Sequence, residues 1–149
     1  MDVKTATPPA AGHSFVRVRN RLLARPCAHS YYLDHMLGVT CRTEIFQSGD
    51  DVPAGGRKLL DHFETQGTPI MIGGGELAFT LLGVDFNQET GDCSFLIMDP
   101  HYTGADDLSL IQPKWVGWKT KDSLTHLGTK LFRPDTFYSF CLPTRPRGV

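Results

Sequence analysis

The chain has 149 residues, of which 40% are apolar and 10% aromatic, enough for one domain to bury a hydrophobic core without disulfides or metal. Its 15 basic and 16 acidic residues are intermixed and leave a net charge of -1, which argues against nucleic acid or an anionic membrane as a partner. No apolar run approaches the roughly 20 residues that span a bilayer, and the polar start lacks the apolar centre of a secretory signal. We predict a globular protein of the cytoplasm or nucleus, without direct membrane insertion.

The first residues differ in composition from the remainder of the chain. Residues 1–26 combine prolines and glycine with a basic run, and no helical or strand period lasts there. We predict that this segment is irregular or disordered and that residues 27–149 form the domain. After Pro26, which suits the first turn of a helix, residues recur at helical spacing as far as Gly38: Tyr31, Tyr32, His35 and Met36. This pattern predicts a first helix.

The next segments predict a strand, a loop and a second helix. The strand is expected over residues 39–46 and the polar loop over residues 49–56. The helix is expected over residues 57–66, because Gly67 suits its end and three apolar residues share one face: Leu59, Leu60 and Phe63. His62 is expected on the exposed side of this helix.

From residue 69 the pattern changes to strands. Three strands are predicted, over residues 69–74, 76–86 and 93–98, with a hairpin loop at residues 87–92 in which Gly91 can take a positive φ. The strand at residues 93–98 is apolar at nearly every position, which predicts a central strand covered on both faces.

The last part of the chain predicts two short helices and a closing strand. The helices are expected over residues 105–111 and 123–127, and the strand over residues 136–142. Helices that precede and cover a mostly antiparallel sheet define the α+β class.

The sequence Asp99-Pro100-His101 follows the apolar strand and carries the clearest signal for chemistry. If the backbone stays extended, the Asp99 carboxylate and the His101 imidazole project to the same side. An Asp that accepts the Nδ1–H of a His fixes its tautomer and leaves Nε2 as a base toward a nucleophile. A hydrogen-bonded turn without a catalytic role has the same spacing, so the pattern leaves both interpretations open.

Other polar and aromatic residues give weaker signals. Five further histidines lack the spacing of metal ligands and are interpreted as solvated or hydrogen-bonded: His13, His29, His35, His62 and His126. The triplet at residues 73–75 is interpreted as glycines where another backbone passes close. Three aromatic residues could contact a bound peptide or pack in the core, and the sequence leaves both open: Tyr102, Trp115 and Trp118.

Four cysteines are candidate nucleophiles, and none belongs to a C-x-x-C pair, so neither a zinc site nor a disulfide framework is indicated. Cys93 and Cys141 lie in predicted strands, where burial raises the pKa of a thiol and leaves it unreactive. Cys41 lies at a strand start. Cys27 begins a predicted helix, whose dipole favours a thiolate, and is the best candidate of the four, but an unpaired Cys at a helix start more often has a structural role. We predict no metal and no other cofactor.

Several segments, in order, resemble the ubiquitin-fold modifier 1 (Ufm1)-specific protease family. The resemblance covers residues 31–147 and rests on the glycine triplet with the strands that follow it, on Asp99-Pro100-His101, on KWVGWKT and on FYSFCLPTRP. It implies a papain-like fold and a thiol protease that cleaves the peptide or isopeptide bond after the C-terminal Gly of Ufm1. Ufm1 and its conjugates would be the partners. His101 would be the general base and Asp99 its orienting carboxylate, without a metal.

The sequence departs from the family in its nucleophile. The family carries it in an upstream Gly-Trp-Gly-Cys-Ala-Tyr-Arg segment, which does not occur in this sequence, and Cys27 falls in a later register. We therefore expect the N-terminal part of the fold to be incomplete, in a short paralogue or an incomplete reading of a longer gene, and the chain to be inactive alone. Phe79 stands where some members have His. The alternative is a non-catalytic module that binds Ufm1 or an adaptor. In either case a partner could recruit the chain from the cytoplasm to the endoplasmic reticulum surface.

Overall fold

A computed structural model describes residues 28–148. The predicted irregular segment at residues 1–26 and the candidate nucleophile Cys27 lie outside the described residues. Within residues 28–148, three α-helices and six strands follow one another, with two short 3-10 helices between β1 and α2: α1 (Ala28–Leu37), β1 (Cys41–Phe46), α2 (Gly56–Thr65), β2 (Ile70–Gly74), β3 (Leu77–Phe86), β4 (Cys93–Met98), α3 (Leu108–Trp115), β5 (Val116–Lys119) and β6 (Tyr138–Pro143). None of these helices is long and apolar enough to cross a membrane.

The strands form one sheet in the order β1-β6-β2-β3-β4-β5, and each neighbouring pair is antiparallel. The closing strand β6 therefore pairs with β1 and β2, and it is not added next to β5 at the end of the sheet. Ile72 in β2 lies opposite Phe79 on one side and opposite Phe140 on the other. The predicted α+β class and antiparallel sheet are confirmed.

The prediction of a central strand at residues 93–98 is wrong in part. β4 lies next to the edge strand β5, and fully buried and half-buried residues alternate along it. The sheet is centred on β2 and β3, and α2 packs against β3. Leu96 and Met98 of β4, which point away from the core, are apolar but only partly covered.

The helices largely match their predictions. α1 ends at Gly38, which has a φ of 62°, and the Gly38 N–H donates to the Asp34 carbonyl oxygen at 3.0 Å. α3 begins later than predicted, because the Asp107 side chain accepts a hydrogen bond from the Ser109 N–H at 2.9 Å and so caps the helix at residue 107. It then continues past Pro113 to the aromatic segment.

An aromatic cluster fills the core between the sheet and the segments that cover it. Phe46 meets Phe140 edge to face at a centroid distance of 5.0 Å, and Phe132 meets Phe95 at 5.1 Å and Tyr138 at 5.2 Å. Edge-to-face contacts of this kind stabilise a core beyond the burial of apolar area. Phe132 comes from the connection between β5 and β6, so this connection is part of the core.

The connection between β5 and β6 contains no helix, which makes the prediction of a helix at residues 123–127 wrong. Two backbone hydrogen bonds of 2.8 Å close a loop there, from Leu131 N to Ser123 O and from Thr125 N to Thr129 O. Gly128, with a φ of 76°, makes its turn. Leu124 and Leu127, which fall within the predicted helix, are 61% and 58% exposed.

The glycine triplet lies where two strands approach closely, as predicted. A Cβ at Gly74 would contact the Tyr138 ring and lie 2.7 Å from the Phe137 carbonyl oxygen. A Cβ at Gly73 would meet only the Ser139 carbonyl oxygen, at an ordinary 3.8 Å. The two neighbouring glycines therefore differ in their tolerance of a methyl group.

We expect Gly74→Ala to lower the free energy of unfolding by about 2 kcal/mol, because the added methyl overpacks the contact between β2 and β6. Gly73→Ala, the matched control, should change it by less than about 0.5 kcal/mol. Urea unfolding followed by tryptophan fluorescence measures both. Equal effects of the two substitutions would contradict the close approach at Gly74.

His62 lies on the buried face of α2, and its predicted exposure is wrong. Only 4% of its surface is exposed, and Nε2 lies 3.0 Å from the carbonyl oxygen of Thr68. The Thr68 hydroxyl donates to the Pro143 carbonyl oxygen at 2.5 Å, which links α2 to the end of β6. Burial lowers the pKa of His62, although the Thr68 hydrogen bond acts in the opposite direction, and the charge of Arg42 lowers it further.

The lowered pKa of His62 predicts acid sensitivity. The unfolded imidazole, with an ordinary pKa of about 6.5, takes up a proton before the native one as the pH falls. The stability that His62 contributes is therefore present above about pH 6.5 and is lost below it. The melting temperature of the wild type should fall more between about pH 7.5 and pH 5.5 than that of His62→Gln. Parallel profiles for the two proteins would refute this role.

Candidate functional site

The end of β4 places a carboxylate beside the hydrophobic core. Phe95, Ile97 and Asp99 alternate along the chain and are all buried, with 8% of the surface of Asp99 exposed. The Asp99 N–H donates to the Trp115 carbonyl oxygen at 2.8 Å, which ties the strand end to the end of α3. The carboxylate is therefore fixed where the core meets the solvent.

The structure brings Asp99 and His101 together. His101 Nδ1 lies 2.5 Å from Asp99 Oδ1, and the His101 backbone N–H donates to the same oxygen at 3.1 Å. The second contact shows that the chain turns after β4, whereas the sequence analysis assumed an extended backbone. Because an ionised carboxylate only accepts hydrogen bonds, Nδ1 carries the proton and Nε2 keeps its lone pair.

A second histidine, His126, binds the other oxygen of the same carboxylate. Its Nδ1 lies 2.8 Å from Asp99 Oδ2, and its ring centroid lies 4.5 Å from that of His101. The sequence pattern predicted a solvated or hydrogen-bonded His126 and gave no sign that it belongs to the site. It lies 27 residues from Asp99, on a loop between strands, so no local spacing could have revealed the contact.

The two histidines set the charge state of Asp99. Burial acts to raise the pKa of its carboxyl, but the hydrogen bonds from His101 and His126 outweigh burial and hold the pKa below its ordinary value. Asp99 is consequently a carboxylate at neutral pH, and it accepts three hydrogen bonds.

Aromatic side chains surround this His-Asp-His cluster of Asp99, His101 and His126. The Phe79 ring packs edge to face on His101 at 6.0 Å, and the Trp115 ring lies 6.0 Å from His126 and 5.7 Å from Tyr102. Trp118 is 57% exposed, and neither tryptophan belongs to the core cluster. Of the two interpretations left open, core packing does not apply to the tryptophans.

Comparisons with known proteins identify the family. The sequence profile of peptidase family C78 matches residues 27–141. A probable Ufm1-specific protease of Oryza sativa subsp. japonica is 54% identical over 121 residues, which are 80% of this chain and 19% of the rice protein. Ufm1-specific protease 2 of Homo sapiens is 45% identical over 118 residues, 78% of this chain and 24% of the human protein. The chain belongs to peptidase family C78.

A solved structure in the same family has the same fold. The crystal structure of UfSP from C. elegans is 44% identical, aligns with a TM-score of 0.69, and covers 78% of this chain and 21% of that chain. The resemblance stated from the sequence and the papain-like α+β fold are thereby confirmed. The chain spans about a fifth to a quarter of the length of the relatives it matches.

The described cysteines of this C78 chain lie far from His101. Cys93 and Asp99 are six residues apart, which is about 20 Å along a strand. Cys141 in β6 and Cys41 in β1 are three and four strand positions from β4, or about 14 and 19 Å. Burial, with a smaller contribution from the charge of Asp85, also raises the pKa of Cys93 to about 11. None of these thiols lies within reach of the imidazole.

The His-Asp-His cluster also offers the donor atoms of a metal site. One donor atom from each of the three residues lies within 4.8 Å of the other two. Two imidazole nitrogens and a carboxylate oxygen are ligands that zinc and related cations accept. The same side chains can therefore hold either protons or a cation.

Proposed function

We propose that residues 28–148 carry the general-base part of a thiol protease that cleaves after the C-terminal Gly of Ufm1, in its precursor or its conjugates. The observation that carries this proposal is the hydrogen bond between His101 Nδ1 and the buried Asp99 carboxylate, which leaves Nε2 as an acceptor. The names of the rice and human relatives, both Ufm1-specific proteases, supply the substrate.

In this mechanism His101 moves the protons of acyl transfer. Nε2 accepts the proton of a thiol as its sulfur attacks the carbonyl carbon of the modifier's C-terminal Gly, and then donates that proton to the leaving amine. Nε2 next takes a proton from the water that hydrolyses the thioester and returns it to the departing sulfur, which releases the Gly carboxylate and restores the thiol. Asp99 stabilises the imidazolium at each stage because it accepts the Nδ1–H.

The nucleophile must come from outside residues 28–148. Proton transfer requires a sulfur about 3 Å from Nε2, whereas Cys93 lies at the opposite end of β4 and Cys141 and Cys41 lie three and four strand positions from β4. We therefore propose that the described domain alone is inactive and that a separate segment delivers the thiol to Nε2.

A non-catalytic binding module is the second candidate function. Large apolar side chains stand exposed in β5, in the loop that carries His126 and in α3: Trp118, Leu124, Leu127, Leu108 and Leu110. Leu124 lines the same cavity as Trp115 and His126. Exposed apolar groups beside a cavity favour a protein or peptide partner, and Ufm1 would be the partner in both functions.

We expect the chain alone to hydrolyse a fluorogenic C-terminal adduct of Ufm1 no faster than buffer, and not to react with a Ufm1-based suicide probe. A chimera in which this chain replaces the matching segment of the rice relative should gain activity. In that chimera, His101→Ala should lower kcat by about 10⁴-fold, because members of a catalytic triad act as a unit.

The controls separate the base from the nucleophile. The parent rice protein is the reference for full activity. The chimera with His35→Ala, a substitution at an exposed residue of α1, should be as active as the chimera without it. A folded but inactive chimera would contradict the role of His101. Turnover by the unextended chain that disappears in Cys27→Ala would identify Cys27 as the nucleophile and overturn the proposed source of the thiol.

We expect Trp118→Ala to weaken Ufm1 binding by about 2 kcal/mol, the cost typical of an aromatic interface anchor. Its melting temperature should stay near that of the wild type, because most of the side chain is exposed. Tyr31→Ala in α1, with 58% exposure, is the matched control and should change neither quantity. Unchanged affinity of Trp118→Ala in calorimetry would remove Trp118 from the interface.

A further inference from the structure

His126 has no role in the proposed proton transfer, yet its imidazole is hydrogen-bonded to the Asp99 carboxylate, as that of His101 is. Its Nδ1 lies 2.8 Å from Asp99 Oδ2, and 26% of its side chain is exposed. A base needs one orienting carboxylate, and His101 already has it. A second imidazole at this distance requires a different explanation.

The loop around His126 is rigid enough to present a ligand. The preceding residue, Thr125, is buried and shares a hydrogen bond of 2.9 Å with the hydroxyl of Thr129. Backbone hydrogen bonds close the loop on both sides of the turn, and buried Phe132 fixes its end in the core. Metal sites favour such fixed donors, because little ordering remains to be done on binding.

We propose that Asp99, His101 and His126 bind a divalent d-block cation, with Zn²⁺ as the best match. Two imidazole nitrogens and one carboxylate oxygen form a three-ligand set that leaves a fourth position open to solvent. Tetrahedral zinc with bonds of about 2.0 to 2.1 Å separates its ligands by about 3.3 Å. The two imidazole nitrogens lie 2.5 and 2.8 Å from the two oxygens of Asp99, and one donor atom of each residue lies within 4.8 Å of the other two, so the distances between donors have to change by at most about 1.5 Å.

Binding has a defined effect on the protons of the cluster. Each neutral imidazole carries one proton, now on Nδ1, where it is shared with Asp99. When the cation takes Nδ1, the proton moves to Nε2 of the same ring, so no proton is lost or gained. His101 Nε2 then donates a hydrogen bond and has no lone pair for a thiol proton. The bound cation and the general base therefore exclude each other.

Two positive charges beside the cluster lower its affinity for a cation. Lys114 and Lys119 line the cavity beside Asp99 and His126, which opposes a cation. Both amino groups have other contacts, since Lys119 Nζ donates to the Leu124 carbonyl oxygen at 3.3 Å and Lys114 Nζ lies 5.6 Å from the Trp115 ring centre. The carboxylate remains the charge closest to the donor nitrogens.

The test is Zn²⁺ titration of the full chain by calorimetry, with Co²⁺ absorption as a second readout. His126→Asn is the sharp variant, because its side-chain amide can still donate to Asp99 but cannot replace the imidazole. We expect it to weaken Zn²⁺ binding at least tenfold, whereas His35→Asn, in the exposed part of α1, leaves binding unchanged. Equal affinity of the two variants would overturn the proposal.

Imidazole resonances of the wild-type protein give a test that needs no variant. Added Zn²⁺ should perturb the ring signals of His101 and His126 before those of His35 and His62. A first perturbation elsewhere, or a Co²⁺ spectrum with a thiolate charge-transfer band, would place the cation at other groups and overturn the site.

The inhibitory consequence rests on the proposed function, and a separate measurement tests it. Zn²⁺ should inhibit the active rice chimera, a chelator should restore its rate, and the His126→Asn chimera should need at least tenfold more Zn²⁺. Binding without inhibition would uphold the metal site and overturn His101 as the base. Loss of binding with an active chimera would overturn the metal site alone.

Discussion

The site depends on one buried carboxylate. Placing Asp99 at the edge of the core is costly unless hydrogen bonds replace its lost water. Three donors do so, and they come from the turn after β4 and from the loop before β6. Its backbone N–H is bound to the end of α3. The hydrogen bonds of this one buried residue therefore bring together three segments: the turn after β4, the end of α3 and the loop before β6.

Packing against the sheet fixes the loop that carries His126. Tyr138 in β6 accepts a hydrogen bond from the Arg133 N–H at 2.8 Å and donates to the Leu131 carbonyl oxygen at 3.3 Å. These bonds hold Phe132 in the aromatic cluster, and Phe132 anchors the loop that carries His126. The position of a surface imidazole is therefore set by packing in the core, which tolerates little displacement.

Local patterns predicted the described strands other than β5, the first two helices and the contact of Asp99 with His101, because each depends on residues close in sequence. They did not predict β5, which was expected only as an aromatic segment, or the place of His126, which depends on strand order and loop closure. The helix predicted at residues 123–127 is absent, and its Leu124 and Leu127 point to solvent. His62 was misplaced because its polarity outweighed its spacing of three residues from buried Leu59. The periodicity of a sequence shows which residues share a face of one helix or strand. It does not show which distant residues contact that face.

The hydrogen bonds that orient His101 do not involve a nucleophile. Asp99 is satisfied by its own domain, so the geometry of the base persists whether or not a thiol is present. Such preorganisation lowers the cost of reorienting groups when a nucleophile arrives. The same hydrogen bonds keep the imidazole nitrogens and the carboxylate oxygens fixed at the surface when no nucleophile is present. These atoms, which now share protons, can also bind a cation. In the proposed function these hydrogen bonds prepare His101 for catalysis, and the same side chains form the proposed metal site.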